Sequence, residues 1–266
     1  MEETSQRVAL VTGATAGLGK AIAAELGRRG WWLCLQHADA GPAGDEAAAE
    51  LTAAAKAGGH KIEAEAFAAD LEDTDQREQL VENALETFDR IDLFAHVPAA
   101  LSATAGDLLE ITPATFEQAV AGQLAPALFL TQLVANEMVR LVEGGLVEGA
   151  KIVLVNSISA YTTSADHAAH CVARAGLGML TRLFADRLGE HGINVYEVRA
   201  GILSAGPHDP AHARYDELIE QGLTPIRRWG RPADVARAVA AVAEDLLPFS
   251  TGEVINVDGG FHLRRL

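Results

Sequence analysis

A short apolar run, Val8-Ala9-Leu10-Val11, breaks into Thr12-Gly13-Ala14-Thr15-Ala16-Gly17-Leu18-Gly19, and a helix-period pattern follows at once. Glycines at 13, 17 and 19 permit a tight turn and close approach of backbone to a ligand. A helix that starts there offers unpaired N–H groups and the positive end of its dipole to an anion. Between a first strand and a first helix, such a turn predicts a pyrophosphate cradle at the head of an alternating α/β domain. Gly13, Thr15, Gly17, Leu18 and Gly19 are its candidate cofactor-binding residues.

The rest of the chain continues the alternation. Apolar runs at 7–11, 31–36, 61–68, 91–96, 151–156, 194–198 and 253–257 read as strands. Helical patterns cover 18–29, 45–57, 74–88, 115–142, 168–190 and 232–243, and Pro126 inside the fourth predicts a bend or local irregularity. Strands alternating with helices predict a three-layer, Rossmann-type doubly wound parallel sheet of about seven strands. With 266 residues and no linker or internal repeat, one domain over residues 1–266 is expected. Residues 204–225, rich in Gly, Pro and His, read as a mobile stretch, and 202–225 as a substrate lid.

Composition narrows the partners. A net charge of −16 and a pI near 4.9, with no basic stripe, argue against nucleic acid and anionic membrane. No uninterrupted apolar run approaches bilayer-spanning length, and the polar start carries no signal-peptide pattern. Cys34 and Cys171 make no disulfide framework, so a reducing cytoplasm is the expected location. His167 with His170, and His208 with His212, have helical metal-pair spacing. No Cys or carboxylate cluster completes either set, so no metal is expected. Trp31 and Trp32 read as core or subunit-contact residues.

Thr12 to Gly19 resembles the TGxxxGxG motif of the short-chain dehydrogenase/reductase family. Asp70-Leu71 is similar to that family's adenine-contacting pair, and Ala173-Arg174-Ala175-Gly176-Leu177 to its S/A-K-A-G-L helix. Pro225 to Asp234 and Thr251 to Gly260 resemble segments of the ketoacyl-reductase-like branch. The resemblance spans nearly the whole chain. It implies NAD or NADP as cofactor, a small-molecule substrate, and a homodimer or homotetramer formed through the two long helices and the last strand. At the tip of the second strand, Gln36-His37-Ala38-Asp39 has neither the acid that favours NAD nor the base that favours NADP. His37 tilts faintly toward a phosphate and Asp39 the other way, leaving the choice open.

The family's catalytic residues are Asn, Ser, Tyr and Lys, and here the pattern departs. The YxxxK positions read His170-Cys171-Val172-Ala173-Arg174, Gln123 stands for the asparagine, and Ser157 is retained. His96-Val97-Pro98-Ala99 replaces NNAG, and Ala200-Gly201 replaces Pro-Gly, with Gly201 still expected at the cofactor. Tyr161 is a possible substitute phenol, though its place better fits a substrate wall. A neutral imidazole at His170, its basicity lowered by the Arg174 guanidinium, suits proton abstraction better than proton donation. Arg174 is suited to holding ribose hydroxyls or a carboxylate. Three readings follow. The first is an atypical NAD(P)-dependent oxidoreductase on a small carbonyl or hydroxyl substrate. The second is a non-redox enzyme for elimination, isomerisation or ring opening. The third is a silent subunit, paired in a hetero-oligomer with an active relative.

Overall fold

The computed structural model describes residues 6–38, 41–99, 106–204 and 212–264. Seven strands form one sheet: β1 (Val8–Val11), β2 (Trp32–His37), β3 (Ala64–Ala68), β4 (Leu93–His96), β5 (Lys151–Ser157), β6 (Asn194–Ala200) and β7 (Glu253–Val257). Every ladder is parallel and the order is β3-β2-β1-β4-β5-β6-β7. The strand order reverses at β1, so the chain turns outward in both directions there. A crevice opens above the carboxyl ends of β1 and β4, where open α/β sheets place their ligands.

Alternate side chains of these strands enter two cores. Leu10, Phe94, Ile152 and Leu154 pack against α5 (Ala125–Glu143) and α6 (Ala168–Leu188). Ala9, Val11, Leu33 and Leu35 face α1 (Gly17–Gly27) and α8 (Pro232–Ala243). Helices α2 (Ala43–Ala57) and α3 (Thr74–Phe88) flank the β2–β3 edge. Burial on both faces explains why the strands read as continuous apolar runs. Trp31 is fully buried, whereas Trp32 stacks edge-on against Phe88.

The expected fourth helix is divided. Helix α4 (Pro113–Ala119) passes through one π turn, Val120–Leu124, into α5. Pro126 lies just past the π turn, where its missing N–H interrupts the regular helical ladder. The irregularity therefore falls just before the proline and brings Gln123 into the interior. By length and composition, the continuous helical run Pro113–Glu143 is apolar enough to cross a bilayer. Leu130, Val134, Met138 and Leu141 instead lie on the sheet.

The stretch read as mobile contains helix α7 (His212–Glu220). Ile219 is buried, Tyr215 meets Trp229 edge-on, and the Trp229 indole N–H donates to Asp216. Residues 205–211, including His208, lie outside the described residues.

Candidate active site

The cradle is built from backbone. Gly13 and Gly17 have φ of 60° and 52°, in the left-handed region that favours glycine. Gly19 is required for a different reason: a Cβ there would lie 2.2 Å from the Gly13 carbonyl oxygen. Helix α1 begins at Gly17 with no side-chain cap and no acid in its first turn. Its leading amides are left for an anion. Gln36 braces the turn, accepting from the Gly13 N–H at 2.9 Å and donating to the Ala69 carbonyl at 2.8 Å. Thr12 ties it to β4, with its Oγ1 accepting from the Val97 N–H at 2.8 Å. A cleft of about 470 Å³ runs from Gly13, Gly17, Leu18 and Gly19 past Val97–Ala99 to Asn156, Ser157, Arg174 and Ala200. These features fit a dinucleotide: free amides for the pyrophosphate, no side chains in the turn, and a cleft ending at candidate catalytic groups.

At the far end, Ser157 closes β5 and starts a short 3-10 turn, with its Oγ accepting from the Ser159 N–H at 3.2 Å. The Ser157 N–H donates to Asn156 Oδ1 at 2.9 Å. Asn156 Nδ2 donates to Glu197 Oε1 at 2.7 Å and to the Arg174 carbonyl at 2.9 Å. Glu197 is fully buried and paired with Arg199, Oε1 to Nε 2.6 Å and Oε2 to the other guanidinium nitrogen 3.0 Å. Helix α6 passes over this pair at Gly178, where a Cβ would come within 3.2 Å of Glu197 Oε2. One buried network therefore joins the serine strand, the neighbouring strand and the helix carrying His170 and Arg174.

His170 and Arg174 stand one turn apart on the same face of α6. His170 Nδ1 lies 2.8 Å from Gln123 Oε1, so the π turn delivers a partner to the imidazole. A bond to that carbonyl oxygen puts the proton on Nδ1 and leaves Nε2 as the lone-pair acceptor. Burial holds His170 at about 4, with the Arg174 and then the His167 charge adding to the effect. The guanidinium is thus the lesser cause, contrary to the sequence expectation. Arg174 is itself buried, which lowers it to about 10. One guanidinium nitrogen reaches only the Ala99 carbonyl at 3.4 Å, and Nε has no partner. His96 is buried beside it with Nε2 unpartnered and is held at about 3 by burial and by Arg174.

Several expected residues are not part of that cleft's lining, His170 and Gln123 included. His37 is buried under α2, where a Cβ on Gly44 would come within 2.3 Å of its Nε2, and it does not line the cleft. Gly201 also leaves the cleft. A Cβ there would meet Asp258 Cα at 2.5 Å, so its glycine serves the β6–β7 closure, and Ala200 lines the cleft instead. Tyr161 donates to Asp258 Oδ2 at 3.2 Å and is pushed up to about 12 by burial and the aspartate charge. It is no substitute acid. Asp70 Oδ1 is engaged in its own turn by the Glu72 N–H, Leu71 packs on the core, and Thr15 is half-buried in the cradle turn; none of the three lines the cleft. Sequence reasoning missed Gln36, Asn156 and Glu197. The one available signal was the Glu197/Arg199 pair, two charged residues inside a core strand.

Known proteins share this architecture. A family profile described as enoyl-(acyl carrier protein) reductase matches residues 13–262. The 3-oxoacyl-[acyl-carrier-protein] reductase of Synechocystis sp. is 29% identical over 261 residues, 98% of each chain. The L-rhamnose 1-dehydrogenase (NAD(P)(+)) of Azotobacter vinelandii is 32% identical over 258 residues, 96% of each chain. A solved 3-oxoacyl-[acyl-carrier protein] reductase from Brucella melitensis in complex with NAD superposes with a TM-score of 0.88. It is 32% identical, and the match covers 98% of this chain and 99% of that one. The chain belongs to the short-chain dehydrogenase/reductase family, in its ketoacyl-reductase-like branch. With that membership comes the oxidoreductase class and a nicotinamide dinucleotide, NAD or NADP, as cofactor.

Proposed function

We propose that this chain transfers hydride between NAD or NADP and a small hydroxyl or carbonyl substrate. In this reading Ser157, His170 and Arg174 stand where the family has serine, tyrosine and lysine. The observation that carries it is the 2.8 Å Gln123–His170 bond, one helical turn from an arginine that lines the same cleft as the cradle. Bound at the cradle, the dinucleotide supplies the hydride donor or acceptor. Ser157 Oγ orients the substrate oxygen, and His170 Nε2 takes the hydroxyl proton. Gln123 holds the ring in the tautomer that exposes that lone pair, and Arg174 holds ligand oxygens at the cleft wall. Ile202, Ile219 and Thr224 line an adjoining cavity of about 310 Å³, which supports a substrate-covering role for the described part of this stretch.

An imidazole held near 4 is a base throughout neutral pH, so alcohol oxidation is the favoured direction. Carbonyl reduction needs the imidazolium, about one molecule in a thousand at pH 7. The expected result is that NADH or NADPH raises the melting temperature. Reduction should then fall about tenfold per pH unit between pH 5 and 8 while oxidation stays level. His170→Ala should lose about 10²–10⁴ in rate. Reduction independent of pH over that range, or full activity in His170→Ala, would sink the assignment.

The same scarcity of imidazolium supports a second reading, a subunit that binds dinucleotide and leaves turnover to a partner. Dinucleotide-dependent stabilisation with no turnover in either direction would favour it. Phe116, Phe129, Val172, Met179 and Leu183 are exposed on α4, α5 and α6 and support association through these helices, as a homodimer or homotetramer. Light scattering on the purified chain tests that association.

A further inference from the structure

Arg174 carries a charge that no acid among the described residues balances. Its side chain is more than nine-tenths buried at the cleft wall, yet among the described residues it makes no ion pair and its Nε has no partner. The residues lining the cleft include no carboxylate. Burial alone shifts its affinity for protons, with no opposing contribution from an acid among the described residues. The neighbouring groups cannot supply the missing charge: His96 and His170 are neutral at pH 7, and the Tyr161 phenol is tied to Asp258. Ribose hydroxyls could satisfy the guanidinium hydrogen bonds but would leave the charge uncompensated. An isolated buried cation costs several kcal/mol; the pyrophosphate is held by the backbone amides of the cradle, so an anion paired directly with the guanidinium is what offsets that penalty.

Building on the oxidoreductase reading above, we infer that the substrate is itself an anion: a small hydroxy or oxo acid whose carboxylate pairs with the Arg174 guanidinium. The planar fork of arginine matches a carboxylate bidentately, which a lysine ammonium at this position would not. The cleft thereby selects acids over neutral alcohols of the same shape.

The test uses the chain saturated with whichever reduced dinucleotide raises its melting temperature. Calorimetric titrations at constant chloride and ionic strength compare lactate with propane-1,2-diol and 3-hydroxybutyrate with butane-1,3-diol. The expected result is that at least one acid binds about 30-fold or more tightly than its diol counterpart. Arg174→Met should abolish that preference, and Arg174→Lys should restore part of it. Arg174→Met should also raise the melting temperature of the ligand-free protein, since it replaces an unbalanced charge with apolar bulk. Equal or absent binding of acids and diols, an acid preference that survives Arg174→Met, or a melting temperature lowered by that substitution would each overturn the inference. No stabilisation by either dinucleotide is a separate outcome, which removes the oxidoreductase reading itself.

Discussion

Replacing Gly19 with alanine tests the cradle at its tightest point. The added Cβ would sit 2.2 Å from the Gly13 carbonyl oxygen and 2.7 Å from that of Thr12, and both are backbone atoms that no rotamer change can move aside. Ordinary contact requires roughly 1 Å of relief, and the turn must supply it by shifting against the start of α1. Overpacking of this kind costs about 2 kcal/mol, a fall of about 4–8 °C in melting temperature for a domain of this size. The ligand effect is separate. The same shift displaces the amides that face the pyrophosphate, and losing one charge-assisted bond weakens binding about 10- to 100-fold. Melting curves with and without NADH, followed by calorimetric titration, separate the two effects. Gly189→Ala is the control, because a Cβ there meets nothing within 4 Å. A Gly19→Ala protein that binds dinucleotide within about twofold of the parent would refute the argument that these amides hold the ligand.

Stability should depend on pH through the buried histidines. Because folded His170 sits near 4 and His96 near 3, below the ordinary histidine range, the unfolded chain takes up protons first as pH falls. The contribution is therefore complete above about pH 6.5 and is lost progressively toward pH 4 and below. For His170 the loss reaches up to about 3 kcal/mol, and urea unfolding of His170→Asn beside the parent from pH 7 to pH 4.5 should show a flatter profile in the variant. Glu197→Gln leaves the partly exposed Arg199 without its ion-pair partner and should cost about 2 kcal/mol, whereas Glu197→Met combined with Arg199→Met should recover most of that loss. Urea unfolding of Glu197→Met, Arg199→Met and the double closes that cycle, and a Glu197→Gln cost below about 1 kcal/mol would show the pair to be dispensable.

Much of the fold was written locally. Residues 74–88, 232–243 and 253–257 stand where the sequence pattern places them, because period, caps and apolar runs are short-range properties. Asp73 caps α3 through the Gln76 N–H, and Asp89 closes it in the left-handed region, both within a few residues of the helix they bound. The cradle is local in the same sense, since Gly13, Gly17 and Gly19 constrain one another inside a single turn. His170 and Arg174 were also readable as a pair, because helical spacing alone puts them on one face.

What the tertiary structure decided is which distant groups meet. His37 stood at the expected strand tip, but α2 packs over it at Gly44, and it does not line the cleft. Tyr161 looked available until the chain end brought Asp258 to its hydroxyl, 97 residues away in sequence. Gln123 reaches His170 only because the irregularity that Pro126 signalled takes the form of a π turn, which rotates it inward. Asn156, Glu197 and Arg199 form one network because neighbouring parallel strands bring residue 156 level with residue 199. Local sequence determines backbone conformation through short-range sterics. Burial, proton affinity and charge balance depend on what the folded chain packs around a side chain, and the state of Arg174 and the two histidines could be read only there.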